Sequence, residues 1–200
     1  MTLYDIKPQF QSILRPIVKR LAIASVTANQ ITLFAMAGSI AVSALVSIFA
    51  HINQVFLLLP IWMFIRMALN AVDGMLAREF KQKTDLGVYL NELCDVISDT
   101  ALFIPFAFIL PFSLTTVGLV IFLSVLSELA GVLGQTIGAS RRYVGPMGNS
   151  DRALVFGALG LWIGVGGVTP NWLYWMMPLL SVLIIQTTVN RIKRALQEAS

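Results

Sequence analysis

Asn70-Ala-Val-Asp73-Gly74-Met-Leu-Ala77-Arg78, followed eight residues later by Gly87-Val-Tyr-Leu-Asn91-Glu-Leu-Cys-Asp95, is the stretch that decides the reading of this chain. It sets acidic and amide side chains at helical spacing inside two segments that are otherwise apolar. Asn70, Asp73 and Ala77 follow i, i+3, i+7, and Gly87, Asn91, Asp95 and Asp99 follow i, i+4, i+8, i+12, so each set lies on one helix face. The connection over residues 80–85 is short, which makes the two helices antiparallel neighbours whose polar faces can converge. Ionisable groups at membrane depth are costly and mark functional cavities. Converging oxygen ligands suit a hard divalent cation such as Mg²⁺ or Mn²⁺. Interhelical hydrogen bonds that merely join two spans are the plainer alternative. Asp73, Asp95, Asp99 and two asparagines on two stripes weigh against it.

Composition places those helices in a membrane. The 200 residues are 57% hydrophobic and 12% charged, whereas soluble domains carry charge on about a quarter of their residues. Apolar runs of about 20 residues read as spans, and six are expected, at about 30–50, 54–77, 88–112, 114–138, 153–169 and 172–190. The expected architecture is all-α. A single membrane domain covers 1–200, with a six-helix bundle over 30–190 and an amphipathic helix over 1–21 lying in the headgroup plane. Ile6, Phe10, Ile13, Leu14, Ile17 and Leu21 form the apolar stripe of that first helix. Its charges, Asp5, Lys7, Arg15, Lys19 and Arg20, exclude a cleavable signal.

Basic residues cluster before the first span and after the second, fourth and sixth, and the other three loops have none. By the positive-inside rule both termini are cytoplasmic, which means the inner membrane if the source is bacterial. Trp172, Tyr174 and Trp175 mark the opposite interface. The net charge of +4 is thus a topology signal and an attraction to anionic membrane lipid; no motif supports a nucleic-acid partner. Cys94 is the sole cysteine, so there is no internal disulfide and no clustered-Cys metal site. His51, the sole histidine, falls in a loop on the far side, so any base in the site is a carboxylate or another group.

The two-part stretch resembles the signature of the CDP-alcohol phosphotransferase (CDP-alcohol phosphatidyltransferase) family, D-x2-D-G-x2-A-R-x8-G-x3-D-x3-D. Asp73, Gly74, Ala77, Arg78, Gly87 and Asp95 match it. Asn70 and Asn91 stand where the family has its first and third aspartates. The resemblance implies transfer of a phosphatidyl or other substituted phosphoryl group from a CDP-linked lipid, CDP-diacylglycerol foremost, to an alcohol acceptor with release of CMP. It further implies a divalent cation, a homodimer, Asp73 as metal ligand, and Asp95 as general base and metal ligand. Asn70 and Asn91 fall at the other metal-ligand positions, where an amide oxygen coordinates without charge. The small residues Gly74, Ala77 and Gly87 are the family's nucleotide-backbone positions, although close helix packing explains them equally well. Arg78 is the family's arginine and suits a pyrophosphate; taken alone it reads as a topology marker.

Glu92 and Asp99 are the neighbours able to restore lost charge. Arg66 and Glu128 are further intramembrane charges; Arg66 is expected to pair with Asp99 or Glu128, and in a functional variant to fix Asp99 near the metal. Arg141, Arg142 and Arg152 either orient the chain or bind an acceptor that carries phosphate. A catalytically impaired family member that binds lipid or nucleotide is the rival reading. A transporter fits less well, since the polar stripes stop near the cytoplasmic edge.

Overall fold

The computed structural model describes residues 3–141 and 145–199, with side chains from Phe10 onward. Among the described residues there are seven α-helices: α1 (Leu3–Ile23), α2 (Ala28–Ile48), α3 (Leu58–Glu79), α4 (Asp85–Phe103), α5 (Leu114–Leu133), α6 (Asn149–Gly164) and α7 (Met176–Ala199). Short 3₁₀ turns precede α3 and α7 and follow α4 and α5. No strand occurs among the described residues, as an all-α reading requires.

Four stretches are long and apolar enough to cross a membrane: Ala28–Ile48, Asn53–Glu79, Leu114–Ile137 and Asn171–Ala199. The two other expected spans fall on α4 and α6. Asp85, Glu92, Asp95 and Asp99 interrupt the apolar surface of α4. The 16 residues of α6 reach only about 24 Å at 1.5 Å per residue, against a hydrocarbon core of about 30 Å.

Contacts divide the chain into two units. The first comprises Met1–Ala41 and Ile61–Ser98, and the second Val42–Pro60 and Asp99–Ser200. In the first, Leu14 and Val18 of α1 are buried with Ala28, Ile31, Val72, Met75 and Leu76, and Phe10 and Leu21 pack against that cluster. Ile13 and Ile17 remain exposed. The stripe expected to lie in the headgroup plane is therefore divided: one edge packs on α2 and α3, because those helices offer the apolar partner that the flat placement left out. Arg15 pairs with Glu79 at 3.1 Å. The turn between α3 and α4 is pinned as well, since Gln82 Oε1 accepts the Ala28 N–H at 2.8 Å. Thr84 Oγ1 accepts the Gly87 N–H at 2.9 Å, an N-cap that starts α4.

Trp62 Nε1 donates to Ser39 Oγ at 2.9 Å, and its ring lies where a side chain on Gly38 would go: a Cβ there would fall 2.1 Å from the indole. The glycine is what admits the ring.

In the second unit the core is aromatic. Phe103 and Phe156 stack at 4.0 Å, and Phe106 meets both Phe156 at 5.2 Å and Phe56 at 5.6 Å. Gly160 and Gly164 let α6 lie directly on residues 56–60; a Cβ on Gly164 would fall 2.6 Å from the Leu57 side chain. Ahead of α6, Thr187 Oγ1 of α7 accepts the Met147 N–H at 3.0 Å, and Asp151 Oδ2 accepts the Gly148 N–H at 2.9 Å.

Gly38→Ala displaces the Trp62 indole and is expected to cost about 1–3 kcal/mol, the usual penalty of overpacking. A lowered thermal midpoint in detergent, with a smaller drop for Ser39→Ala, is the expected result.

Candidate active site

The polar face of α3 carries Arg66, Asn70 and Asp73 at i, i+4, i+7, and α4 presents Asp95 to the first two. Arg66 Nη2 donates to Asp95 Oδ1 at 2.8 Å and to the Asp95 backbone carbonyl at 3.2 Å. Asn70 Nδ2 donates to the same Oδ1 at 2.9 Å. Arg66 thus forms an ion pair with Asp95, a partner the sequence did not single out. Its side chain is 8% exposed and that of Asp95 26% exposed, so the pair is shielded on the arginine side and open on the aspartate side.

Asp73 is buried. Thr32 Oγ1 of α2 lies 2.8 Å from Asp73 Oδ2 and 3.1 Å from its own-helix carbonyl at Ala28. A hydroxyl has one proton, and the shorter, charge-assisted contact takes it. Thr32 was missed because a threonine in an apolar span is ordinarily satisfied by the carbonyl one turn back. The Asp73 and Asp95 carboxylates are near enough for their charges to act on each other, and Arg78 acts on Asp73 with the opposite sign.

Arg78 is exposed at the end of α3, and its guanidinium lies over Gly74. A Cβ on Gly74 would sit 3.1–3.4 Å from the guanidinium atoms. The missing side chain therefore makes room for Arg78 itself. Gly87 has a packing role too, since a Cβ there would come 2.8 Å from Asn29 Oδ1 of α2 and 3.0 Å from Thr84 Oγ1. Ala77 packs against the α1–α3 core. Asn91 is exposed on α4, and Glu92 beside it is half-buried.

Asp73 and Asp95 offer carboxylate oxygens, a chemistry that fits a hard divalent cation, whereas Asn70 turns its N–H₂ to Asp95 and, among the described residues, no hydrogen bond joins exposed Asn91 to them. Among the described residues no three His, Cys, Asp or Glu side chains gather in one place. A cation bound here would accordingly draw on two carboxylates plus neutral amide or hydroxyl oxygens.

The second unit holds a separate charged cluster. Glu128 of α5 meets Arg152 at 2.7 Å, Arg191 at 3.2 Å and Arg141 at 3.7 Å. Arg152 also lies 3.8 Å from Asp99 and donates to the Met147 carbonyl at 3.1 Å. Arg191 donates to the Ser127 carbonyl at 2.6 Å, while its Nε and Nη2 are buried without a hydrogen-bond partner. Arg152, expected in a loop, belongs to the first turn of α6 and is buried. Arg142 lies outside the described residues. Arg191 belongs to the basic group after the sixth span, and no local signal set it apart from Lys193 and Arg194.

Comparisons with known proteins bear on the family and the fold. The model of the family described as CDP-alcohol phosphatidyltransferase matches residues 25–186. The chain is 49% identical over 199 residues to the inner membrane protein YnbA of Escherichia coli K12, covering 98% of this chain and 97% of that one. Among solved structures it is similar to the Mycobacterium tuberculosis phosphatidylinositol phosphate synthase PgsA1 with CDP-DAG bound. The TM-score is 0.73 at 21% identity, over 92% of this chain and 94% of that one. The same synthase in complex with manganese and citrate gives 0.70 at 20% identity, over 90% and 87%. At those identities the solved structures speak for the fold. Family model and apolar helices together settle the class: the chain belongs to the CDP-alcohol phosphatidyltransferase family and is an integral membrane transferase of phospholipid biosynthesis.

Proposed function

We propose that this protein transfers a phosphatidyl group from CDP-diacylglycerol, or a related group from another CDP-linked lipid, to an alcohol and releases CMP. The observation that carries the reading is Asp95: a carboxylate fixed by two donors on one oxygen, open on its other side, at the last signature position. The M. tuberculosis synthase with CDP-DAG bound supports a CDP-lipid donor.

In this reading the Asp95 carboxylate takes the proton of the acceptor hydroxyl. The alcohol oxygen bonds to the lipid-linked phosphorus, the anhydride bond breaks, and CMP leaves with the bridging oxygen. Arg78, poised over Gly74, turns its planar guanidinium to the pyrophosphate. Asp73, oriented by Thr32, and Asp95 would hold a divalent cation, Mg²⁺ or Mn²⁺, with Asn91 as an uncharged oxygen donor and Asn70 as a hydrogen-bond donor to Asp95. Bound there, the cation neutralises pyrophosphate charge and polarises the phosphorus. The manganese-bound synthase supports a divalent ion in general.

The arginine-rich cluster of the second unit is read, by itself, as a group suited to an anion. Arg141, Arg152 and Arg191 gather on Glu128, and the Nε and Nη2 groups of Arg191, buried without a hydrogen-bond partner, suit an oxyanion. That arrangement supports recognition of a phosphate group. Orientation follows the basic loops, with both termini in the cytoplasm and α4 and α6 completing six spans.

Purified protein incubated with CDP-diacylglycerol, Mn²⁺ and a panel of alcohols (glycerol 3-phosphate, inositol phosphate, serine) is expected to release CMP with at least one acceptor. Release with none would favour a non-catalytic binder. Exhaustive EDTA treatment and dialysis should abolish turnover, and Mn²⁺ should restore it; turnover that survives chelation contradicts the cation assignment. Asp95→Asn should lower the rate at least about 100-fold, the lower range for loss of a general base, with donor binding retained. Arg78→Lys should weaken donor binding about tenfold, because a point charge does not replace a bidentate fork; unchanged affinity would reduce Arg78 to a topology marker.

A further inference from the structure

Asp95 Oδ1 has two resident donors from α3, one turn apart. Arg66 Nη2 reaches it at 2.8 Å and Asn70 Nδ2 at 2.9 Å. The amide orientation follows from chemistry: turned over, Asn70 would set its carbonyl oxygen against a carboxylate oxygen at the same distance. An aspartate at position 70 would do so permanently, and two carboxylates that close require a cation or a proton between them. Asn70 removes that requirement by donating, and Arg66 supplies the positive charge. Arg66 also grips the Asp95 backbone carbonyl at 3.2 Å, so it fixes the position of the side chain as well as its charge.

We propose that Arg66, together with Asn70, is a positioning residue and built-in counter-ion for Asp95. The pair holds Oδ1, leaving Asp95 a single oxygen, Oδ2, for the acceptor proton or a cation. This rests on the reading of Asp95 as the reactive carboxylate, and it changes what the asparagine means. The exchange at position 70 converts a place for a cation ligand into a hydrogen-bond donor, and the protein's own guanidinium takes up part of the neutralisation a metal would otherwise provide. The site then binds a divalent cation less tightly than its two carboxylates alone would.

The test is Mn²⁺ binding to the full-length protein in detergent, by calorimetry without lipid or nucleotide. Arg66→Gln frees Oδ1 and removes a nearby positive charge, so Mn²⁺ should bind at least threefold more tightly than to the parent. Arg66→Lys, which keeps the charge, should stay within twofold of the parent. In an Asp95→Asn background Arg66→Gln should change nothing. A purely structural arginine predicts the opposite sign, weaker binding with a lowered thermal midpoint. If Arg66→Gln does not fold, Asn70→Ala takes its place and should tighten Mn²⁺ binding in the same direction by a smaller factor. The proposal is overturned if the folded variant, Arg66→Gln or failing that Asn70→Ala, binds Mn²⁺ no more tightly than the parent. It is equally overturned if the gain persists without Asp95. Failure of the underlying reading is separate and shows as unimpaired CMP release by Asp95→Asn.

Discussion

A charge in an apolar helical protein must meet its partner within the protein, and that constraint organises this structure. Removing one member of a buried pair leaves an uncompensated charge, at a cost of about 3–5 kcal/mol. Asp95 meets Arg66 at 2.8 Å, and Glu128 meets Arg152 at 2.7 Å. Each pairing specifies which faces of two helices come together, α3 with α4 in the first unit and α5 with α6 in the second. Small residues on the helix faces allow close approach.

The two clusters differ in a way that suits different work. Around Asp95 the donors come from one side only, and a quarter of the carboxylate side chain stays exposed. Such a group is oriented yet still available. Around Glu128 three arginines gather, and Arg152 and Arg191 are almost wholly buried. Buried guanidinium with N–H groups that lack a hydrogen-bond partner, as in Arg191, is an arrangement that gains from an anion. An oriented, partly open carboxylate and a set of gathered guanidinium groups are distinct chemical capacities.

The glycines serve approach more than backbone freedom. Gly38 admits Trp62, Gly74 admits the Arg78 guanidinium, and Gly160 and Gly164 admit residues 56–60 against α6. Gly145 is the exception, where both causes act: its φ of +147° suits glycine, and a Cβ would fall 2.4 Å from the Thr187 side chain. Loop and helix are locked at that point, and the neighbouring Met147 N–H finds its acceptor on the same threonine.

The linear order of residues determined a great deal. Continuous apolar runs of about 20 residues determined a membrane protein made of helices, because a helix satisfies its backbone within such a run. The spacing of Asn70, Asp73, Asn91 and Asp95 determined which helix faces carry polar groups, since helical periodicity is a local property. The family was legible for the same reason, its signature being contiguous in two short pieces. What the sequence left open was every pairing across helices. Arg66 was equally compatible with several acids, and the reach of a guanidinium from α3 to Asp95 exists only once α3 and α4 are packed. Thr32, on a third helix, gave no local sign that its hydroxyl leans to Asp73. The apolar stripe of α1 was correctly helical, but periodicity cannot say whether a face meets lipid or protein; α2 and α3 decided it by offering Val72, Met75 and Leu76. Tertiary structure likewise gathered Arg191, Arg152 and Arg141 on Glu128 from well-separated positions, because a buried charge is neutralised by what is near in space, whatever its distance along the chain.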